Sequence, residues 1–249
     1  MQSQSFCHTI PRKIHLVWFG SNLPPLFAAL ADRVRFLHPD WEVRLWDEAM
    51  AVKLIRSMGT GLDTQFQSSR LTLSTKSDLV RYHIVALEGG IYLDTDFLIL
   101  KSLDSLRTAS LFGVHEDPGT LCSGVFGAVS GHAVFSHVFD RLRRSNYSLP
   151  PNLLAGPGMF SPICRQCAAR DPQARLLSSR SFFPVPLGKK YDLSAWRTCR
   201  LDQSYGAHLW AHSWGEHGGD AENLLRARVE ALLENSSAKR SPIRAGVRS

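Results

Sequence analysis

Apolar residues follow two different periods along this chain, and the changes of period predict alternating strands and helices. Short apolar or alternating runs predict strands at residues 14–19, 41–46, 91–93, 97–100, 111–114 and 122–129. Apolar residues at three- and four-residue spacing predict helices at residues 26–37, 77–88, 132–144 and from Asp220 onward. Strands that alternate with helices are typical of a single α/β domain with a mostly parallel central sheet.

Two helix ends carry clear local signals. Gly89 and Gly90 follow the helix predicted at 77–88, and glycine readily takes the left-handed conformation that closes a helix. Asp220 can accept hydrogen bonds from the first amides of the last helix. The expected buried stripe of that helix consists of Leu225, Val229, Leu232 and Leu233.

The composition indicates a folded domain, with its excess of positive charge concentrated at the end of the chain. Of 249 residues 44% are hydrophobic, and 29 basic against 22 acidic residues give a net charge of +7. Four of the basic residues lie in the last eleven positions, without an acid among them. We assign residues 1–235 to one domain and residues 236–249 to a basic tail, which could add affinity for anionic lipid. The body is too weakly basic to indicate a nucleic-acid partner.

The sequence also indicates where the protein works and which nucleotide sites it lacks. No run of 18 apolar residues predicts a transmembrane helix, and the first residues do not resemble a secretion signal. We therefore expect a cytoplasmic protein. No G-x-G-x-x-G follows the first predicted strand, and Gly188-Lys189-Lys190 lacks the other residues of a phosphate loop, which argues against both common α/β nucleotide sites.

The most informative residues are Asp94, Thr95 and Asp96, which lie between two apolar runs. Residues i and i+2 of a regular strand point the same way, so both carboxylates can face one cavity. Two close carboxylates favour a hard cation such as Mn²⁺ or Mg²⁺, with a diphosphate supplying further oxygens. Without a cation they should repel, so Asp96→Asn is expected to leave the metal-free fold equally or more stable. The competing interpretation is a polar turn between two strands.

The preceding helix carries Asp78 and Arg81, which are three residues apart and therefore lie on one helical face. They could form a surface ion pair of little energetic weight. Next to a metal–diphosphate site, however, the acid could accept hydrogen bonds from sugar hydroxyls while the guanidinium donates them.

Five sequence blocks together resemble glycosyltransferase family 32, which includes fungal initiating mannosyltransferases and bacterial capsule and lipopolysaccharide sugar transferases. The blocks span residues 10 to about 215 and are IPRKIHLVWFG at 10–20, HPDW with LWDE at 38–48, SDLVRY at 77–82, EGGIYLDTD with LKSL at 88–103, and GPG with HLWAHSW at 156–214. The large glucosylating bacterial toxins are related to this family.

The resemblance implies a GT-A fold, an α/β/α sandwich of Rossmann-like type, whose D-x-D sequence binds a divalent metal and a nucleoside-diphosphate sugar. It implies that Asp96 ligates the metal directly, while Asp94 contacts ribose and sugar hydroxyls and the metal through water. Asp78 and Arg81 match the family's sugar-binding pair. Trp18 matches the aromatic residue that stacks on the nucleobase in the toxins, although a tryptophan on an apolar strand is also a common core residue.

The resemblance also implies donor-binding residues late in the chain. His208 best matches a late metal-binding histidine, with His212 as the alternative, and imidazole is an acceptable ligand for Mn²⁺. Ser213 and Trp214 resemble the pair that contacts metal and diphosphate in the toxins.

The implied activity is metal-dependent transfer of a hexose to a glycan or lipid-linked acceptor, with retention of anomeric configuration. A UDP-sugar is the favoured donor and GDP-mannose the second choice. Bacterial relatives act on lipid-linked glycans at the inner face of the membrane, where the basic tail could assist peripheral docking. Two alternatives stay open at this point: a metal-dependent nucleotide-sugar phosphohydrolase, and a non-catalytic module that binds sugar nucleotides or glycans.

Overall fold

The computed structural model describes residues 9–20, 22–211 and 219–238. Its strands are β1 (Lys13–Val17), β2 (Glu42–Trp46), β3 (Gly90–Leu93), β4 (Phe97–Ile99), β5 (Leu111–His115), β6 (Leu121–Ala128), β7 (Arg175–Leu177) and β8 (Gly206–His208). Its α-helices are α1 (Pro25–Leu37), α2 (Glu48–Met58), α3 (Asp63–Gln67), α4 (Leu73–Glu88), α5 (Ala133–Arg143), α6 (Pro151–Leu154), α7 (Pro157–Ala168), α8 (Leu193–Thr198) and α9 (Gly219–Ala238). Short 3-10 turns lie at Asp104–Thr108, Ser179–Ser181 and Leu187–Lys189.

Local capping chemistry explains several helix boundaries. The Asp47 side chain accepts a hydrogen bond from the Met50 amide at 2.7 Å and starts α2. The Thr72 hydroxyl accepts one from the Thr75 amide at 3.2 Å, which starts α4 four residues earlier than the apolar pattern predicts. The apolar spacing locates only the buried face of the helix. It cannot locate the first turn, whose start is set by the polar capping residue.

The turn from α4 into β3 requires its two glycines. Gly89 and Gly90 have φ angles of 64° and 105°, which residues with side chains rarely adopt. A Cβ on Gly90 would also lie 2.8 Å from the carbonyl oxygen of Lys13 on β1. The close approach allows β3 to pair with β1 immediately after the helix ends.

The main sheet has the order β2-β1-β3-β6-β5-β7. Strands β2, β1 and β3 run in parallel, β6 runs opposite to β3 and β5, and β7 is parallel to β5. Five of the six strands therefore share one direction, and the prediction of a mostly parallel sheet is confirmed.

Helices and a second small sheet cover the two faces of the main sheet. On β1, Leu16 belongs to a hydrophobic cluster shared with α1, β4, β8 and α9, whereas Val17 belongs to a cluster shared with α2, α4, α5 and α7. On β3, Leu93 and Tyr92 divide between the same two clusters. The alternation of strand side chains produces an α/β/α sandwich with two cores, as the GT-A fold requires.

The second sheet pairs β4 with β8 in antiparallel register. Phe97 lies opposite His208, and Ile99 lies opposite Gly206. This register places a residue from late in the chain directly beside the segment that joins β3 to β4.

One prediction about α9 is wrong. Leu225 and Leu232 are buried and Val229 is half-buried, but Leu233 is 37% exposed. The side chains of Arg228 and Asn235 are buried in its place, and Asn235 donates a hydrogen bond to the Cys199 carbonyl at 2.9 Å. Apolar periodicity cannot reveal this face, because its partners are backbone carbonyls of distant loops.

The pattern did not predict α2, α3, α6, α7, α8, β7 or β8. Most of these elements are short, and α7 contains Pro162, a residue that normally interrupts a helix. No helix within the described ranges is long and apolar enough to cross a bilayer. The division between a domain at 1–235 and a tail at 236–249 stays a prediction, since residues 239–249 lie outside the described part.

Candidate active site

Asp94, Thr95 and Asp96 form a turn between β3 and β4, closed by a hydrogen bond from the Phe97 amide to the Asp94 carbonyl at 3.3 Å. The predicted interruption between the strands at 91–93 and 97–100 is therefore confirmed, but the alternation of side chains along a regular strand does not apply at these residues. The expected convergence of the carboxylates is nevertheless confirmed, because Asp94 and Asp96 both line one cavity of about 220 Å³. A turn that closes between two buried strands can direct both side chains to the same side.

The Asp94 carboxylate is held by residues of β3 and β6. Its Oδ1 accepts a hydrogen bond from the Tyr92 hydroxyl at 2.7 Å. The Asp94 amide donates to the Gly124 carbonyl at 2.8 Å. A Cβ at Gly124 would lie only 2.3 Å from Asp94 Oδ2, so glycine leaves the space that this carboxylate occupies.

Arg81 connects Asp94 to Asp78 on α4 and to Ser123 on β6. Its Nη2 lies 2.8 Å from Asp78 Oδ1 and 3.1 Å from Asp94 Oδ1, and its Nη1 donates to the Ser123 carbonyl at 2.8 Å. Its guanidinium also lies 4.5 Å from the centre of the Tyr92 ring. The predicted pairing of Asp78 with Arg81 is confirmed, but in a buried network instead of on a solvated helix face.

Burial gives Asp78 unusual acid–base properties. Burial raises its pKa to about 6, because the desolvation of its carboxylate outweighs the attraction of Arg81, and nearby Asp94 adds to the increase. A carboxyl group with this pKa is ionised at neutral pH and can accept hydrogen bonds from hydroxyl groups.

Asp96 has different partners. Its Oδ1 lies 3.1 Å from His208 Nε2, and its Oδ2 accepts a hydrogen bond from the Ala211 amide at 2.9 Å. Burial alone would raise the pKa of Asp96, but the charge and hydrogen bond of His208 and the Ala211 amide together lower it. Conversely, Asp96 raises the pKa of His208 against the opposing effect of burial.

These contacts overturn the expectation that the two carboxylates repel each other in the metal-free protein. Arg81 compensates the charge of Asp94, and His208 compensates that of Asp96. Neutralising Asp96 would leave the buried His208 without its partner, so we now expect Asp96→Asn to destabilise the metal-free fold.

The residues present fit a divalent cation. Ligand atoms of Asp94, Asp96 and His208 all lie within 4.8 Å of one another. His208 Nδ1 is buried and has no hydrogen-bond partner within the described residues. Two carboxylates and one imidazole form a donor set that accepts Mn²⁺ or Mg²⁺, with the nitrogen favouring Mn²⁺.

Other predicted site residues lie elsewhere or outside the described ranges. His208 lies beside Asp96, as the prediction of a late metal-binding histidine requires, whereas His212, Ser213 and Trp214 lie outside the described residues. Trp18 is 7% exposed in a hydrophobic cluster, with its ring centre 5.4 Å from that of Phe27, and it is not among the residues that line the cavity. Its role in nucleobase stacking stays a prediction.

Sequence reasoning missed several residues of the cavity wall. Ser74, Cys122, Ser123, Gly124 and Pro157 line the cavity beside the predicted residues. Two signals were available in the sequence. A glycine within an apolar strand often marks a close approach of another group, and a tyrosine two residues before Asp94 shares its side of the strand.

Comparison with known proteins places this geometry in context. The sequence matches the glycosyltransferase sugar-binding region containing a DXD motif over residues 24–112. It is 30% identical over 143 residues to inositol phosphoceramide mannosyltransferase 3 of Schizosaccharomyces pombe. The aligned region covers 57% of this chain and 40% of that protein. It is 26% identical over 206 residues to mannosyl phosphorylinositol ceramide synthase CSH1 of Saccharomyces cerevisiae. That alignment covers 76% of this chain and 53% of that protein. The chain thus spans about half the length of these relatives, or less.

The fold is also similar to a solved glycosyltransferase domain. The UDP-bound glycosyltransferase domain of the YGT toxin superposes with a TM-score of 0.55, over 89% of this chain and 90% of that domain. The sequences are only 8% identical, so the similarity concerns the fold alone.

Proposed function

Because this chain is related to glycosyltransferase family 32 and has the GT-A fold, we propose that it transfers a hexose from a nucleoside-diphosphate sugar to a hydroxyl group. The observation that carries this proposal is the convergence of two groups of residues on one cavity. Asp94, Asp96 and His208 offer ligands to a cation, and the pair of Asp78 and Arg81 lines the same cavity at the side of Asp94.

A bound Mn²⁺ or Mg²⁺ would neutralise the negative charge that develops on the departing diphosphate. Asp94, Asp96 and His208 would hold the ion. Tyr92 orients Asp94 through its 2.7 Å hydrogen bond, and Arg81 holds the same carboxylate from the α4 side. The fixed positions of these groups before the donor binds reduce the reorganisation that the reaction requires.

The donor sugar would lie against Asp78 and Arg81. Asp78 accepts hydrogen bonds from sugar hydroxyls, and the guanidinium of Arg81 keeps that carboxylate in place through its 2.8 Å contact. The transfer we propose retains the anomeric configuration, as the family resemblance implies. Proton NMR of the first-formed product measures the configuration directly.

Two lines of support differ on the nucleotide of the donor. The sequence analysis favours a UDP-sugar, whereas the names of the two fungal relatives point to mannose and hence to GDP-mannose. Their names also support a glycolipid as the class of acceptor. A capsular or lipopolysaccharide acceptor, and an action at the cytoplasmic face of a membrane, rest on the resemblance to bacterial family members.

A screen of donors with Mn²⁺ tests the proposal. UDP-glucose, UDP-galactose, the UDP-N-acetylhexosamines and GDP-mannose are each incubated with the protein, with and without a mixed glycolipid acceptor. A transferase releases nucleoside diphosphate from one donor, faster when acceptor is added, and Asp96→Asn nearly abolishes the release. Hydrolysis that is indifferent to both sugar and acceptor would indicate a phosphohydrolase. Donor binding without turnover would indicate a binding module.

A further inference from the structure

The three residues after β8 adopt an unusual backbone conformation. Trp210 has a φ angle of 57°, and no other non-glycine residue in the described ranges has a positive φ. A bulky residue stays in this left-handed conformation only where several contacts impose it, and such strain is concentrated at functional sites. We define residues 209–211 as the Trp210 segment.

The Trp210 segment is attached to Asp96 at two points. The Leu209 amide donates to the Asp96 carbonyl at 2.9 Å, and the Ala211 amide donates to Asp96 Oδ2 at 2.9 Å. Between them, the Trp210 indole donates to the Val185 carbonyl at 2.9 Å. The left-handed residue Trp210 therefore lies between two amides that both bind Asp96: the Leu209 amide binds its backbone carbonyl, and the Ala211 amide binds its carboxylate.

A buried cation from α9 holds the same segment from the other side. Arg228 is 2% exposed, and its Nη1 donates a hydrogen bond to the Leu209 carbonyl. The guanidinium carbon lies 5.6 Å from the ring centres of both Tyr191 and Trp196. Burial lowers the pKa of Arg228, while the negative charge of Asp96 acts in the opposite direction.

We propose that Arg228 is a positioning residue for Asp96. By holding the Leu209 carbonyl, Arg228 keeps Trp210 in its left-handed conformation and the Ala211 amide on Asp96 Oδ2. Asp96 Oδ1 is then presented on the side of His208, where the three candidate ligands converge. The part of this proposal that concerns metal rests on the proposed function. Groups that hydrogen-bond a ligating carboxylate commonly affect metal affinity by about 10–100-fold.

The competing explanation is that Arg228 only attaches α9 to the domain. Both explanations predict a lower melting temperature when Arg228 is replaced. Only the positioning role predicts that, at temperatures far below melting, the Ala211 amide exchanges its hydrogen faster and the metal binds more weakly.

The test compares Arg228→Met with Arg226→Met. Arg226 lies on the same helix but is exposed and paired with Glu222, so its replacement serves as the control. Calorimetric titration with Mn²⁺ alone gives the metal affinity. NMR hydrogen exchange of the metal-free protein gives the protection of the Ala211 amide.

For Arg228→Met we expect about 10–100-fold weaker Mn²⁺ binding and at least roughly tenfold faster exchange of the Ala211 amide, with Arg226→Met behaving like wild type. Arg228→Lys keeps the charge but lacks the planar donor fork, so we expect an intermediate effect. Unchanged exchange and unchanged Mn²⁺ affinity in Arg228→Met, despite a lower melting temperature, would overturn the proposal.

A further variant and a separate readout cover two other outcomes of the test. Should Arg228→Met not fold, Tyr191→Leu removes one ring from the guanidinium at a side chain that is 65% exposed. We expect smaller changes in the same direction, and wild-type values in both Tyr191→Leu and Arg228→Lys would overturn the proposal. Should wild type bind neither Mn²⁺ nor Mg²⁺, the metal site of the proposed function is wrong. Exchange of the Ala211 amide then decides separately whether Arg228 positions Asp96.

Discussion

The two walls of the cavity are built in different ways. The first wall, formed by α4 and β3, brings Asp78, Arg81 and Asp94 together from a stretch of 17 consecutive residues. The closing wall brings His208 and Ala211 to Asp96 through the pairing of β4 with β8, across more than a hundred residues of sequence. The first wall follows from local structure, whereas the closing wall exists only once the whole domain has folded.

The histidines of the two regions show the same contrast. His83 on α4 and His15 on β1, the strand next to β3, are buried and contact backbone carbonyls. Burial lowers the pKa of each to about 4, although Glu88 acts in the opposite direction on His15. His208 is also buried, but Asp96 raises its pKa. Burial therefore favours the neutral form of His15 and His83, whereas Asp96 favours the charged form of His208, so the two regions should respond to pH in opposite directions.

The largest expected effect comes from breaking the closing wall at Asp96. Asp96→Asn should reduce donor turnover by roughly 10²–10³-fold, the loss typical for one preorganised electrostatic group. It should also lower the metal-free stability by about 1–3 kcal/mol, because the buried His208 loses its partner. Turnover assays and thermal melts in EDTA measure the two effects. Asp202→Asn, an exposed aspartate, is the control, and a mutant with full activity would exclude Asp96 as a metal ligand.

Trp18 tests whether the first wall extends to the nucleobase. Trp18→Ala should lower the free energy of unfolding by about 3–5 kcal/mol, because the ring packs on Phe27 in the core. A base-stacking role would in addition weaken UDP or GDP binding by roughly 1–3 kcal/mol. Calorimetric titration well below the melting temperature separates the two roles, with Trp18→Phe as the conservative variant. Unchanged nucleotide affinity would assign Trp18 to the core alone.

The opposite pH responses can be measured on the metal-free protein. The folded-state pKa of His15 and His83 is depressed, so their contribution to stability is present above pH 6.5 and is lost as the pH falls toward 4. The pKa of His208 is raised, so its contribution is present below pH 6.5 and is lost as the pH rises through that raised value. For His15 and His83 the effect should be roughly 3 kcal/mol each.

Melting curves from pH 4 to 8 check these signs. His83→Gln should flatten the acidic side of the profile, and Asp96→Asn should flatten the alkaline side. If His83→Gln left the acidic side of the profile unchanged and Asp96→Asn left the alkaline side unchanged, the pKa values of His83 and His208 would be the same in the folded and unfolded protein.

A smaller effect is expected from crowding Asp94 in the first wall. In Gly124→Ala the new Cβ would lie 2.3 Å from Asp94 Oδ2 and should displace that carboxylate. We expect Mn²⁺ affinity to fall about tenfold, the lower end of what misplacing a ligand costs. Gly188→Ala is the control, since its Cβ would meet nothing within 4 Å. Equal affinities in both variants would mean that Asp94 does not contact the metal.

The contrast between the walls also explains how much the sequence could predict. The i,i+3 spacing of Asp78 and Arg81 and the apolar run before Asp94 are local features, and the structure agrees with both. The convergence of Asp94 and Asp96 was also predictable, although the backbone there is a turn and not a strand. The fold class followed from the order of strands and helices.

The rest depended on information that no local pattern carries. His208 was indicated only by family resemblance, because its place beside Asp96 is set by the β4–β8 register. The buried Arg228 and the left-handed Trp210 oppose ordinary residue preferences and are held by distant carbonyls. The position of Leu233 in the apolar repeat of α9 predicts a core residue, whereas the contact face of α9 contains the polar side chains of Arg228 and Asn235.

The measurement that tests the account most directly is donor turnover by protein stripped of metal with EDTA, before and after Mn²⁺ is restored. The account predicts almost no release of nucleoside diphosphate without metal, full recovery with Mn²⁺ in wild type, and almost no recovery in Asp96→Asn. Turnover at the full rate in stripped wild-type protein, or full recovery in Asp96→Asn, would contradict the claim that Asp94, Asp96 and His208 hold the cation on which transfer depends.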